Sequence, residues 1–297
     1  MTLVVLGDLM VDVVARIAGP LARASDTPAE ISFAGGGSGA NVAAWVAWLG
    51  APVALVCRVG DDERGRAAVA ALRAGGVDVR AAVDPERPTG TCVVLVEPGG
   101  ERTMLPDPGA NDGPYELPAD LGGHLHVSGY ALLRDGARPS ALAAIERARV
   151  AGATVSIDPA SWALLRRGAL PSVDMLLPNE DEAAILAGRD EIEATARALS
   201  PAADEVVVKM GAAGALWTDG DEVLRVPAEP VEVVDTTGAG DAFAAGLLVA
   251  RLEGASPHDA LEAGCRAAAR AVSQVGARPP TAPPPGSSST PARRRRT

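Results

Sequence analysis

Apolar runs too short to be helices alternate with helical segments along most of the chain, and this alternation constrains the fold more than any other feature. Residues 3–6, 53–56, 124–127, 154–157, 175–177 and 205–209 read as strands. Residues 41–49, 64–74, 140–151, 181–187, 192–199, 241–252 and about 257–275 read as helices, the second closed by Gly75 and Gly76. Such alternation predicts an α/β fold, a mostly parallel sheet covered by helices. A length of 297 residues suits one large domain, or a large domain with a small appendage.

The rhythm breaks in the middle. Residues 89–105, TGTCVVLVEPGGERTML, read as two strands around a Pro-Gly-Gly turn with no helix between them. Together with the extended run 12–17 they predict a small separate sheet. A second hairpin is expected around Asp219-Gly220, followed by a buried strand at 231–234 that ends at Asp235. Past Gly276 the composition turns to proline, serine and arginine. The expected organisation is therefore a domain over 1–277 and a disordered tail over 278–297. The Arg293 to Arg296 run reads as a solvated tail or a polyanion contact.

A net charge of −11 argues against a broad nucleic-acid footprint. The first residues lack a basic n-region, and no apolar run approaches the roughly 18 residues of a membrane span, so a cytoplasmic protein is expected. Cys57, Cys92 and Cys265 have neither the number nor the spacing of a disulfide framework or zinc site. Lys209 is the only lysine, and Met210 follows it, which excludes a P-loop; no H-R-D occurs, which excludes a protein kinase.

Three segments carry chemistry. In VEVVDTTGAGDAFAAGLL (231–248), small residues lead into a helix, and the backbone amides of Gly238, Ala239 and Gly240 can form an anion hole at its N-terminus. Asp241 in the same turn would repel a bound phosphate. That conflict resolves if Asp241 is a base that takes the proton of an attacking hydroxyl, although aspartate is also favoured at helix starts. Gly35 to Asn41 lets backbone approach a ligand closely, and Asn41 offers a donor and an acceptor to a sugar hydroxyl. Val42 stands where a dinucleotide fingerprint needs its third glycine. Asn179-Glu180-Asp181-Glu182 has either the spacing of a helix capping box or the acids for a hydrated magnesium ion.

GGGSGANVAAWVAWLG resembles the N-terminal signature of the ribokinase (PfkB-type) carbohydrate kinases, and DTTGAGDAFAAGLL resembles their C-terminal one. Residues 57–79, PNEDE and VVVKMGAAGAL match intervening family segments in order, so the resemblance spans about residues 3–277. It implies an ATP- and magnesium-dependent sugar kinase of ribokinase-like fold, with helices on both faces of the sheet and a β-sheet lid at 12–17 and 89–105. By resemblance, Asp241 is the catalytic base, and Gly238, Ala239 and Gly240 are the anion hole. Asp12, Gly36 and Asn41 contact the sugar, and Asn179 and Glu182 belong to the magnesium-linked motif. Lys209 and Gly211 open the nucleotide site, which Gly238 and Gly240 also line. Asp235 and Gly276-Ala277 resemble a potassium loop, with Pro279-Pro280 near the place of the usual serine. Dimerisation through the lid is a further implication.

The sequence leaves the sugar open. Arg102 offers a contact to a carboxylate, as in 2-keto-3-deoxygluconate, or a surface charge on the lid. Few aromatics are available to stack a nucleoside base, which favours a ribose- or hexose-type sugar. A sugar-binding regulator with this fold is the rival, and a base beside a phosphate hole argues against it.

Overall fold

The computed structural model describes residues 2–159, 161, 165, 170–189 and 191–280. The expected tail from 281 onward lies outside them. The chain runs β1 (Leu3–Leu6), β2 (Met10–Ile17), β3 (Ala29–Gly36), α1 (Ser38–Trp48), β4 (Val53–Gly60), α2 (Glu63–Ala74), β5 (Asp78–Asp84), β6 (Thr91–Val96), β7 (Arg102–Asp107) and β8 (His124–Ser128). Next come α3 (Tyr130–Leu133), α4 (Arg138–Val150), β9 (Thr154–Asp158), β10 (Val173–Leu176), α5 (Glu180–Ala187) and α6 (Ile192–Leu199). It ends with β11 (Ala203–Lys209), β12 (Ala215–Thr218), β13 (Val223–Val226), α7 (Ala239–Leu252) and α8 (Pro257–Val272).

Nine strands form one sheet in the order β13-β12-β11-β10-β9-β8-β1-β4-β5. It is parallel from β11 to β5 and antiparallel at β12 and β13. The period-two alternation of a strand sends Leu3 and Val5 into one apolar layer and Val4 and Leu6 into the other. The first layer holds Trp45, Val69, Leu247 and Leu261 from α1, α2, α7 and α8; the second holds Leu132, Ile145, Ala183 and Ala196 from α3, α4, α5 and α6. Burial on both faces explains why such strands read as unbroken apolar runs. Each fully buried leucine, such as Leu55 or Leu125, contributes roughly 1.5–3 kcal/mol.

A separate four-stranded sheet has the order β3-β2-β6-β7. Asn111 fixes the bend by which the chain leaves β1 for this sheet. Its Oδ1 accepts the Leu9 N–H at 3.1 Å, and its Nδ2 donates to the Leu9 carbonyl at 3.0 Å. The register places Phe33, Val13, Val93 and Leu105 in one row across all four strands. Phe33 and Leu105 in that row are 67% and 60% exposed, so this face is apolar and open. Asp12, Cys92 and Val94 point the other way and are buried.

Two strands escape the sequence reading, and one expected strand is absent. β3 and β5 lie at sheet edges, where alternation with Glu, Ser and Arg hides the strand pattern. Residues 231–234 form no strand, and Val231, Val233 and Val234 are exposed. Valine favours extended backbone there, but β13 already ends the sheet. The Val234 N–H instead donates to the Val272 carbonyl at the end of α8, at 2.7 Å.

Candidate active site

The carboxyl ends of adjacent parallel strands converge where the sheet's connections change direction, between β1 and β8. Open α/β sheets place their binding crevice at such a point. Asp8 follows β1, Ser128 ends β8, Asp158 ends β9 and Lys209 ends β11. Ser128 donates to Asp8 Oδ1 at 3.4 Å, and Asp8 is 2% exposed.

Asp241 lies in the first turn of α7, three residues past Gly238, whose φ of 74° is left-handed backbone that suits glycine. Its carboxylate is held by the other glycine-rich segment: Ser38 Oγ donates to Oδ1 and Asn41 Nδ2 donates to Oδ2, both at 2.8 Å. Burial pushes the Asp241 carboxyl up to about 7. Asp158 adds to the shift, while Asn41, Ser38 and Lys209 oppose it. Asn41 Oδ1 is buried without a protein partner, so an acceptor remains for a ligand hydroxyl. Of the three amides expected in the anion hole, that of Ala239 bonds the Thr236 carbonyl at 3.3 Å. Ser38 had no assigned part in the sequence reading, although it lies inside the glycine cluster.

Lys209 is largely buried at the end of β11. Its Nζ lies 2.5 Å from Asp158 Oδ2, with side chains 13% and 9% exposed. A Cβ on Gly240 would stand 3.4 Å from that Nζ, so the ammonium borders the α7 loop. Burial alone would lower the lysine's pKa, but Asp158 and Glu182 outweigh it and hold it above its usual value. Glu182 is raised by burial and by Asp158, against the pull of Lys209. Asn179 and Glu182 form a complete capping box: Glu182 Oε2 accepts the Asn179 N–H at 2.8 Å, and Asn179 Oδ1 accepts the Glu182 N–H at 2.9 Å. Asp158 was missed, although an acid at the end of a parallel strand is itself a signal.

Asp12 lies across the cleft on β2, 7% exposed, with its carboxyl raised to about 6 by burial; Arg278 opposes the shift and Asp8 adds to it. Gly36 is required beside it, because a Cβ there would fall 2.1 Å from Asp12 Oδ1. Arg278, expected in the tail, instead donates to the Gly36 carbonyl at 3.0 Å, while its own carbonyl accepts from Gln274 at 2.8 Å. The preceding Ala277 carbonyl accepts the Trp45 indole N–H at 2.9 Å. These three bonds carry the ordered chain past residue 277. Gly211 follows Lys209 closely, in an exposed turn after β11.

Arg102 is not free to meet a substrate carboxylate. It reaches from β7 to Asp235, with Nη1 2.7 Å from Oδ1, and it also donates to Thr237 Oγ1. Asp235, expected at a cation site, therefore already has a cationic partner. Among the described residues, the one group of three metal-ligating side chains within reach of a single ion is His258, Asp259 and Glu262, near the start of α8, and it includes none of these residues. A surface hollow lined by Val59, Asp61, Arg66 and Val83 likewise contains none of them.

The nine-stranded sheet, the separate four-stranded sheet and an acid in the first turn of α7 held by the other glycine-rich segment are those of a phosphotransferase of ribokinase-like fold. The chain belongs to the pfkB family of carbohydrate kinases, whose model matches residues 1–283. It is 35% identical to a fructokinase of Klebsiella pneumoniae over 82% of each chain. Its fold matches a probable sugar kinase of Rhizobium etli, with a TM-score of 0.83 at 29% identity over 93% of this chain and 94% of that one. It also matches a double-mutant fructokinase of Vibrio cholerae, solved with fructose, ADP and potassium bound. That match has a TM-score of 0.78 at 30% identity over 93% of both chains. No helix among the described residues is long and apolar enough to cross a membrane.

Proposed function

We propose that this carbohydrate kinase transfers the γ-phosphoryl group of ATP to a hydroxyl of a ribose- or hexose-type sugar, with Asp241 as the general base. One observation carries the reading: Asp241 stands at the start of α7 beside Gly240, its carboxylate aimed by Ser38 and Asn41. As the hydroxyl oxygen bonds to phosphorus and the bond to the ADP oxygen breaks, the hydroxyl proton passes to an Asp241 oxygen. A pKa raised to about 7 suits that task, since a base is most effective when its pKa lies near the working pH.

Asp12 and the unpartnered Asn41 Oδ1 are the groups that would bind sugar hydroxyls, with Gly36 leaving room for the Asp12 carboxylate. The amides of Gly238 and Gly240 and the Lys209 ammonium would face the phosphoryl group, where preorganised positive charge counts most. Gly211 would border the nucleotide. The four-stranded sheet would serve as a lid that excludes water, and its apolar outer face would be covered in a homodimer.

Magnesium, which this reaction class implies, neutralises phosphate charge when bound. The acids nearest Lys209, Asp158 and Glu182, offer oxygen donors only, and among the described residues they belong to no group of three metal-ligating side chains. Asp158 and Glu182 would hold it through water, as a strongly hydrated ion allows. Asn179 would act by orienting Glu182.

The experiment is coupled ADP release across pentoses, hexoses, keto-deoxy acids and nucleosides. Turnover with a neutral sugar supports the proposal. Turnover confined to a keto-deoxy acid or a nucleoside moves the substrate class. Sugar binding by calorimetry without ADP release from any substrate would make the protein a regulator.

A further inference from the structure

The Arg102–Asp235 pair joins the small sheet to the loop that feeds α7. Asp235 Oδ1 lies 2.7 Å from Arg102 Nη1 and accepts the Thr237 N–H at 2.7 Å; Oδ2 accepts the Gly276 N–H at 3.0 Å. The guanidinium also donates to both threonine hydroxyls, that of Thr236 at 3.4 Å. The two side chains are 19% and 12% exposed. Loop 235–238 packs closely on loop 276–277, since a Cβ on Gly238 would stand 2.7 Å from the Ala277 Cα.

This is the segment that resembles a potassium loop, and the Vibrio cholerae fructokinase was solved with potassium bound. Asp235 is the acid this loop offers a monovalent cation, and it can serve only if its charge is unmet. Here a guanidinium already neutralises Asp235, and each carboxylate oxygen has a donor. A potassium ion touching Asp235 would stand within a few Å of the Arg102 charge, where like charges in a largely buried site repel strongly. The donor set does not fit the ion.

We propose that Arg102 is a tethered cation that takes the place of a monovalent ion at the Asp235 loop, so that loop order and turnover do not depend on potassium. Because Arg102 belongs to β7, the small sheet itself supplies the charge that orders the loop leading to Gly238. Only the turnover half of this proposal rests on the sugar-kinase reading.

The test compares potassium chloride with tetramethylammonium chloride at equal ionic strength, using the full chain. The wild-type melting temperature should agree within about 1 °C, because an ion that does not bind the native state cannot stabilise it. ADP release should agree within about twofold on the same ground. Arg102→Ala should melt lower in tetramethylammonium and recover by roughly 2 °C or more in potassium. Arg102→Lys, which keeps a charge on a shorter reach, should respond to potassium less than Arg102→Ala does. Saturable activation or stabilisation of the wild type by potassium overturns the proposal. A folded Arg102→Ala that ignores potassium overturns it as well. If that variant does not fold, the wild-type comparison decides alone. Absence of ADP release in every salt would count against the kinase reading and leave the melting comparison intact.

Discussion

Asn41 donates from Nδ2 to Asp241 Oδ2 at 2.8 Å, and its own Oδ1 is buried with no protein partner. The residue therefore has two separable jobs. One end favours the charged carboxylate of the base, and the other is left for a ligand hydroxyl.

Asn41→Leu removes both at nearly constant size. Asp241 must be ionised to accept a proton, so kcat/KM should rise with pH through about 7 in the wild type. Losing a donor that stabilises the ionised form raises the carboxyl's pKa further, so the acid limb should move to higher pH in the variant. Sugar KM should rise as well. A pH profile with an unmoved acid limb would detach Asn41 from the base.

Lys209→Met tests the buried charge cluster. It would leave Asp158 and Glu182 without their cation, and breaking a buried pair in this way typically costs about 3–5 kcal/mol. Calorimetric melting should fall by at least about 5 °C for a chain of this size. ATP affinity should weaken in parallel, because the ammonium borders Gly240. An unchanged melting temperature would mean that the ion pair is incidental.

Gly36→Ala should act on the sugar alone. The added methyl overlaps the Asp12 carboxylate, at 2.1 Å from Oδ1 and 2.7 Å from Oδ2, and must displace it. Titration calorimetry should show sugar affinity reduced by about tenfold or more, the cost of one lost charge-assisted hydrogen bond, with ATP affinity nearly unchanged. Equal losses for both ligands would point to a folding defect instead.

Val93 sits at the centre of the exposed row Phe33–Val13–Val93–Leu105. A homodimer built on that face should show by light scattering at micromolar concentration. Val93→Lys, which places a charge in the row, should give folded monomers that melt lower than the wild type, because dimerisation no longer stabilises the native state. A wild-type monomer, with or without sugar, removes the claim.

The glycine loops and Asp241 were legible because each depends on local chemistry: small residues, a helix start and an acid in its first turn. The central strands were legible because burial on both faces forces unbroken apolar runs. Edge strands β3 and β5 carry no such demand, and residues 231–234 have strand composition without a partner strand. Arg102 and Asp235 were each noticed, but with other partners, because the contact between residues so distant in sequence depends on how the small sheet sits against the large one. Arg278 was hidden by the proline-rich composition around it, although its guanidinium reaches the Gly36 carbonyl.

The central claim is that Asp241 takes the hydroxyl proton, and Asp241→Asn tests it most directly. The amide keeps the size of the side chain and can still accept from Ser38 or Asn41, so the fold and the α7 loop should persist. General-base assistance is typically worth about 10²–10⁴ in rate. The measurement is kcat for the variant beside calorimetric affinities for sugar and ATP. The account predicts kcat lowered by at least about 100-fold with both affinities little changed. A kcat within about tenfold of wild type, with both ligands still bound, would contradict it and leave Asp241 as an acid that only ties α7 to Ser38 and Asn41.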